Sequence, residues 1–187
     1  MTPGGSMPKQ RGNNFEYRVL GTLEKLEYEN CKRQPLSGAS GYSEDKGDVI
    51  GSLNNFDFLF ECKKTANKIA ITFEFDWIMV THDKALKMNR IPLVAFAGNR
   101  TDVFLMIEKP VFEKFHIKDI VLRLYKTRGT KMIGIRWAKV KPLLKGQAHE
   151  KDKLNGILFT TKLGNLYMFE LKAFTDHLKK VSSKIQA

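Results

Sequence analysis

The sequence predicts an α/β protein in which helices flank a central mixed β-sheet. Stretches with apolar residues at helical spacing alternate with short, β-branched and aromatic runs of period two. Such a mixture folds as layers of helix on sheet. The 187 residues, 42% of them apolar, suffice for one compact domain with its own core. No repeat with a period of 20–50 residues is visible.

The opening Met1-Thr-Pro-Gly-Gly-Ser reads as a cloning remnant ahead of a natural start at Met7, so residues 1–8 are expected to be disordered. From 13 to about 27, Phe15, Val19, Leu20, Leu23 and Leu26 recur at helical spacing within an arc of about 140°. Glu16 falls inside that arc, between Leu23 and Leu20. An acid in a core-facing stripe is costly unless it meets a metal or a base. A weak strand near 31–36 and a polar, glycine-rich loop over 37–47 follow.

Residues 48–53 and 57–63 read as strands joined at Asn54-Asn55. In the second, Phe58, Phe60 and Cys62 share an apolar face, while Asp57, Leu59, Glu61 and Lys63 share the other. A helix is expected over 73–89, packed on the sheet, then strands at 93–97 and 103–107 turning at Gly98-Asn99. A short helix at 110–116, strands at 132–137, 156–161 and 166–171, and a helix at 173–184 complete the order. Residues 9–110 are read as the core, and 111–187 as an α+β extension packed on it.

Charge narrows the function. Lys and Arg number 32 against 20 Asp and Glu, a net +12 with a pI near 9.7. That balance draws a protein to nucleic acid, since each neutralised phosphate releases counterions. No apolar run approaches the roughly 18 residues of a membrane span, and no signal-peptide pattern opens the chain. Cys31 and Cys62 lack metal-site spacing, which fits a reducing cytoplasmic compartment.

Three carboxylates and a lysine converge. Asp48 opens one strand, Glu61 and Lys63 share a face of the next, and Glu16 lies on the core side of the preceding helix. Mg²⁺ takes oxygen ligands and keeps several waters, so two or three carboxylates are enough to hold it. Such an ion activates water and offsets charge on a phosphodiester, with Mn²⁺ as a substitute. Lys63 would orient or deprotonate the attacking water, or offset phosphate charge. The Cys62 peptide carbonyl is a further candidate ligand.

Glu16 on a first helix, Ser37-Gly-Ala-Ser40 in a loop, Gly47-Asp-Val49 and Glu61-Cys-Lys63 together resemble the motif series of PD-(D/E)xK nucleases, in particular the archaeal- and phage-type Holliday junction resolvases. Twelve residues separate Asp48 from Glu61, as in that family. The resemblance covers about 11–107. It implies a restriction-endonuclease-like core, with Glu16, Asp48 and Glu61 as metal ligands and Lys63 as the catalytic lysine. Ser37 is then the loop serine near the scissile phosphate, and the substrate is branched, four-way-junction DNA cut by a homodimer. No proline precedes Asp48, and the family's polar helix residue has only Glu74 and Asp76 as candidates.

A second Glu-x-Lys, Glu170-Leu-Lys172, lies downstream of Asp152, but Asp152 sits in a solvated charge run with no acid-bearing helix before it. The first site is favoured because four elements agree there. Two other readings stay open: a restriction-like or repair nicking nuclease, and a basic nucleic-acid-binding protein without catalysis. Lys9, Arg11, Arg18, Arg33, Lys46, Lys64 and Lys68 are expected to supply phosphate contacts near the site. The four histidines are assigned no role.

Overall fold

The computed structural model describes residues 6–34, 48–64, 69–98, 101–125, 132–145, 150, 152–161 and 164–185. Helix α1 (Ser6–Lys25) begins earlier than its apolar stripe requires, and Phe15, Val19 and Leu23 are buried against the sheet. Strand β1 (Glu29–Arg33) is followed by β2 (Val49–Leu53) and β3 (Phe56–Lys64), all antiparallel. Asn54 and Asn55 both take positive φ, 53° and 65°. That is the mirror-image turn whose twist suits a two-residue hairpin, and asparagine tolerates it.

The expected helix at 73–89 is corrected at its start. Residues Ala70–Glu74 form a strand, β4, and the helix α2 (Phe75–Lys87) follows it. Phe73 pairs in register with Ile133 of β8 (Met132–Arg136). Its period of burial was ambiguous, and a distant strand decided it. α2 buries Phe75, Ile78, Thr81 and Ala85, while Met79, Val80 and Leu86 stay exposed.

Next come β5 (Ile91–Ala97), parallel to β3, then β6 (Phe104–Glu108) and α3 (Lys109–Glu113). Strand β7 (Ile120–Leu124) and helix α4 (Trp137–Lys145) were not anticipated. β7 carries Arg123 amid its apolar residues, and α4 is nine residues long with Pro142 inside, so neither has a clean periodic signature. Strands β9 (Leu154–Thr161) and β10 (Gly164–Glu170) and helix α5 (Leu171–Ile185) end the described chain. No described helix is long and apolar enough to cross a membrane.

Eight strands form one mixed sheet in the order β1-β2-β3-β5-β6-β10-β9-β7, and β4 and β8 form a separate ribbon. Helices α1, α3 and α5 cover one face over a phenylalanine-rich core that includes Phe58, Phe60, Phe112, Phe169 and Phe174. Helices α2 and α4 and the ribbon cover the other face, where Phe73, Phe96, Phe104 and Trp137 pack together.

A repeat does exist, at an offset of 62 residues. β4 and β8, α2 and α4, β6 and β10, and α3 and α5 correspond at that spacing. Met106 faces Met168 and Thr72 faces Gly134, so residues 62 apart meet on a pseudo-twofold axis through both sheets. The flanking pairs match in direction, β3 parallel to β5 and β7 parallel to β9, with a one-residue displacement: Phe58 stands opposite Ile91 and Ile120 opposite Leu154, so β5 and β9 correspond one residue beyond the 62-residue offset. Strand order β3-β5-β6-β10-β9-β7 reads the same from either side. Few residue identities survive across the offset, which is why the sequence conceals it. At Gly156 a Cβ would come within 2.2 Å of the Phe169 ring, so a ring fills space that Leu93 occupies in the first half.

Candidate active site

Hairpin register brings the two acids of the site together. Val49 stands opposite Phe60, so Asp48 falls opposite Glu61 at the open end of the hairpin. The Asp48 amide donates to the Phe60 carbonyl at 3.2 Å, and the Cys62 amide donates to Asp48 Oδ2 at 2.6 Å. Both carboxylic residues are buried, Asp48 at 7% and Glu61 at 4% exposure. β3 alternation turns Phe58 and Phe60 into the α1 core and leaves Glu61 and Lys63 on the α2 side.

Glu61 is bracketed by two ammonium groups. Lys63 Nζ lies 2.8 Å from Oε1, and Lys84 Nζ of α2 lies 3.0 Å from Oε2. Lys63 also stands 6.0 Å from the centre of the Trp77 ring. Glu16 meets a base rather than an empty core: Arg33 Nε is 2.5 Å from Oε2, and its Nη2 donates to Asn13 at 3.1 Å. The Arg33 guanidinium further caps the Tyr17 ring at 4.9 Å.

Burial, then the neighbouring Glu61 charge, push the Asp48 carboxyl up to about 6. The Cys62 amide opposes that rise, and Glu16 adds to it. Burial disfavours the Lys63 ammonium, but Glu61 more than restores it, so Lys63 is raised above the usual lysine range and stays charged. The Cys62 thiol is pushed well up by burial and by Asp48. It therefore remains a neutral thiol, while the Cys62 amide holds Asp48.

A carboxyl raised in the fold is protonated more readily there than in the unfolded chain. Between pH 4 and about 6, the metal-free fold therefore loses stability as pH rises, because Asp48 must ionise beside Glu61. We expect Asp48→Asn to stabilise the metal-free protein at pH 7–8, by on the order of 1–3 kcal/mol, and to lose that advantage below about pH 4. Chemical unfolding at both pH values checks this; an equal effect at both would assign the gain to packing.

Asp48, Glu61, Lys63 and Glu16 thus gather at one end of the β2–β3 hairpin. Ser37, Lys46 and Lys68 lie outside the described residues. Glu74 and Asp76 are exposed at the start of α2. Arg18 is turned away and donates to the Thr101 carbonyl. Lys84 was missed, although it borders the buried stripe of Ile78, Thr81 and Ala85, the same anomaly that marks Glu16. The second Glu-x-Lys is divided: Lys172 bonds to Asp176 of its own helix at 2.6 Å, and Glu170 is raised by burial and by Asp102. A cavity of about 610 Å³ lined by His116, Asp119, Asp152 and His177 contains none of these groups.

The donor set fits a hard divalent cation. Two buried carboxylates stand adjacent, and Asp48 is raised first by burial and then by the Glu61 charge, an imbalance that a cation relieves. Among the described residues no three His, Cys, Asp or Glu side chains form a ready-made metal cage. Two carboxylates and a peptide oxygen suit an ion that keeps its waters.

Residues 7–145 match a protein-family model described as "Phage putative PDDEXK endonuclease". A solved structure, Hjc from Archaeoglobus fulgidus, a Holliday junction resolvase from an archaeal hyperthermophile, is similar at 18% identity and a TM-score of 0.42. That similarity covers 49% of this chain and 72% of the other. No curated protein sequence matches. The family model spans well over half of the chain and takes in Glu16, Asp48, Glu61 and Lys63, so this protein belongs to the phage-type PDDEXK endonuclease family.

Proposed function

We propose that the protein is a divalent-metal-dependent DNA endonuclease that resolves four-way junctions by paired nicks, acting as a homodimer. One observation carries the catalytic part: Asp48 and Glu61 are buried side by side beside a charged Lys63. Adjacent buried acids serve no purpose in binding phosphate, which they repel.

Asp48, Glu61 and the Cys62 carbonyl would hold Mg²⁺, or Mn²⁺ in its place, with Glu16 as a further candidate ligand. When bound, such an ion supplies positive charge for the phosphoryl oxygens and acidifies water near neutral pH. The rest falls to the chain. Lys63 keeps its proton through Glu61, so its part is electrostatic: it orients the incoming water and offsets charge growing on the phosphate. Lys84 holds the second oxygen of Glu61 and fixes its rotamer. Arg33 does the same for Glu16, and substrate or cation would have to compete with it.

Junction resolution needs two symmetric incisions, and a C₂ pair of chains supplies two sites related by one axis. The protein is expected to run at about 43 kDa, twice the 21.4 kDa chain. With Mg²⁺ it should linearise a cruciform plasmid while leaving the relaxed form of the same sequence intact. Excess Glu61→Gln chains should turn linear product into nicked circles, because each mixed pair keeps one competent site. Undiminished cutting in excess EDTA would refute the metal role. Equal cutting of junction and plain duplex would leave a nuclease without the junction preference.

A further inference from the structure

The halves related by the 62-residue offset differ in chemistry. Among the described residues, helix α1 and strands β1 and β2, which deliver Glu16 and Asp48, have no counterpart beyond β7. Glu61 aligns in register with Val94, and its counterpart Arg123 with Ile157. Lys63 is replaced by Tyr125, whose ring packs on Phe159. Where Glu61 meets Lys84, Arg123 meets Glu150, so the charges are exchanged. Leu143 and Asn155 accept further bonds from Arg123. The second half has no acid at this strand position.

It carries the charge instead. Residues 118–187 contain 16 Lys and Arg against five Asp and Glu, a net +11 of the chain's +12, and residues 1–117 are nearly neutral. Arg136 at the end of β8 and Lys139, Lys141 and Lys145 of α4 are all exposed, and none forms an ion pair among the described residues. Their counterparts in the first half are Glu74, Trp77, Met79 and Asp83. The opposite faces of α4 and α2 pack alike, with Trp137 and Val140 buried as Phe75 and Ile78 are. Equivalent packing with unlike surfaces marks the basic strip as a property of the surface, not of the fold.

The strip starts near the live site. Arg136 pairs across the ribbon with Ala70, six residues after Lys64. Six residues reach at most roughly 22 Å, less than one turn of duplex at about 34 Å, so one DNA molecule can touch both.

We propose that the second half is a catalytically silent copy that holds the substrate, with Arg136, Lys139, Lys141 and Lys145 gripping the phosphate backbone of DNA beside the chain's single live site. The choice of DNA as the polyanion rests on the nuclease reading. One chain makes one incision, which is why paired incision needs a second chain.

Binding of a fluorescein-labelled DNA duplex in metal-free buffer, read by anisotropy across about 50–200 mM salt, tests the strip independently of cleavage. The triple variant Lys139→Gln, Lys141→Gln, Lys145→Gln should weaken binding at least about tenfold and make the log–log salt slope shallower by two to three. An unchanged unfolding midpoint shows that the fold is intact. Lys25→Gln, Lys32→Gln, Lys114→Gln, with the same loss of charge, should shift the slope by less than about one. A wild-type slope in the strip variant overturns the proposal, as does equal loss in the control or a wild-type chain with no affinity for DNA. A wild-type chain that binds through the strip but cuts nothing with Mg²⁺ supports the strip and removes only the nuclease reading.

Discussion

Glu61→Gln is expected to lower the DNA cleavage rate by at least about 10³, equivalent to roughly 4 kcal/mol of transition-state stabilisation. Glutamine keeps the shape of the side chain but not its charge. The acid that meets Lys63 and Lys84 then no longer balances them, and the proposed cation ligand loses its charge. Asp48→Asn should act alike, because the second buried carboxylate is lost. Affinity for uncut DNA in the absence of metal should hold or rise in both, since a group that repels phosphate has gone. Single-turnover cleavage beside anisotropy separates the two effects. Glu170→Gln should stay within a few fold of wild type, because Lys172 is committed to Asp176. An inactive Glu170→Gln with an active Glu61→Gln would place the reaction at the other Glu-x-Lys.

Arg123→Met should cost about 3–5 kcal/mol of stability, the usual effect of stripping a buried ion pair of one partner. Glu150 is 8% exposed and would face a thioether in place of a guanidinium. In a chain of this size the unfolding midpoint should fall by roughly 10 °C. Adding Glu150→Leu should recover part of the loss, since the buried acid is removed together with its guanidinium partner. Differential scanning calorimetry of the single and double variants measures both. Metal-dependent cleavage at low temperature should persist in the double variant, since Arg123 stands where Glu61 does in the other half and the proposal gives it no part in the reaction. Activity that vanished with the fold intact would contradict the silence of that half.

Local pattern was legible wherever a residue's neighbours in sequence are also its neighbours in space. The α1 stripe, the Asn54-Asn55 turn and the alternation along β3 follow from backbone geometry alone, and they were enough to set Asp48, Glu61 and Lys63 in one place. The anomaly of Glu16 was visible too, because an acid on a core-facing arc must meet a partner. Its partner was not: Arg33 arrives on another strand, and Lys84 on a helix packed over the sheet. β4 and α4 escaped because pairing and packing with distant residues, rather than their own periodicity, decide their form.

The sequence by itself determined the α/β class, the acid–lysine cluster on one hairpin and the polyanion-seeking charge, since each depends on residue type at short spacing. Only the tertiary structure decided that the chain folds back on itself about Met106 and Met168, and that Arg136, Lys139, Lys141 and Lys145 of the basic half share one exposed strip. Strand pairing is set by backbone hydrogen bonds and by burial summed over a whole face. Two halves can therefore share a fold while few residues match, and symmetry of that kind leaves its mark in register rather than in residue identity.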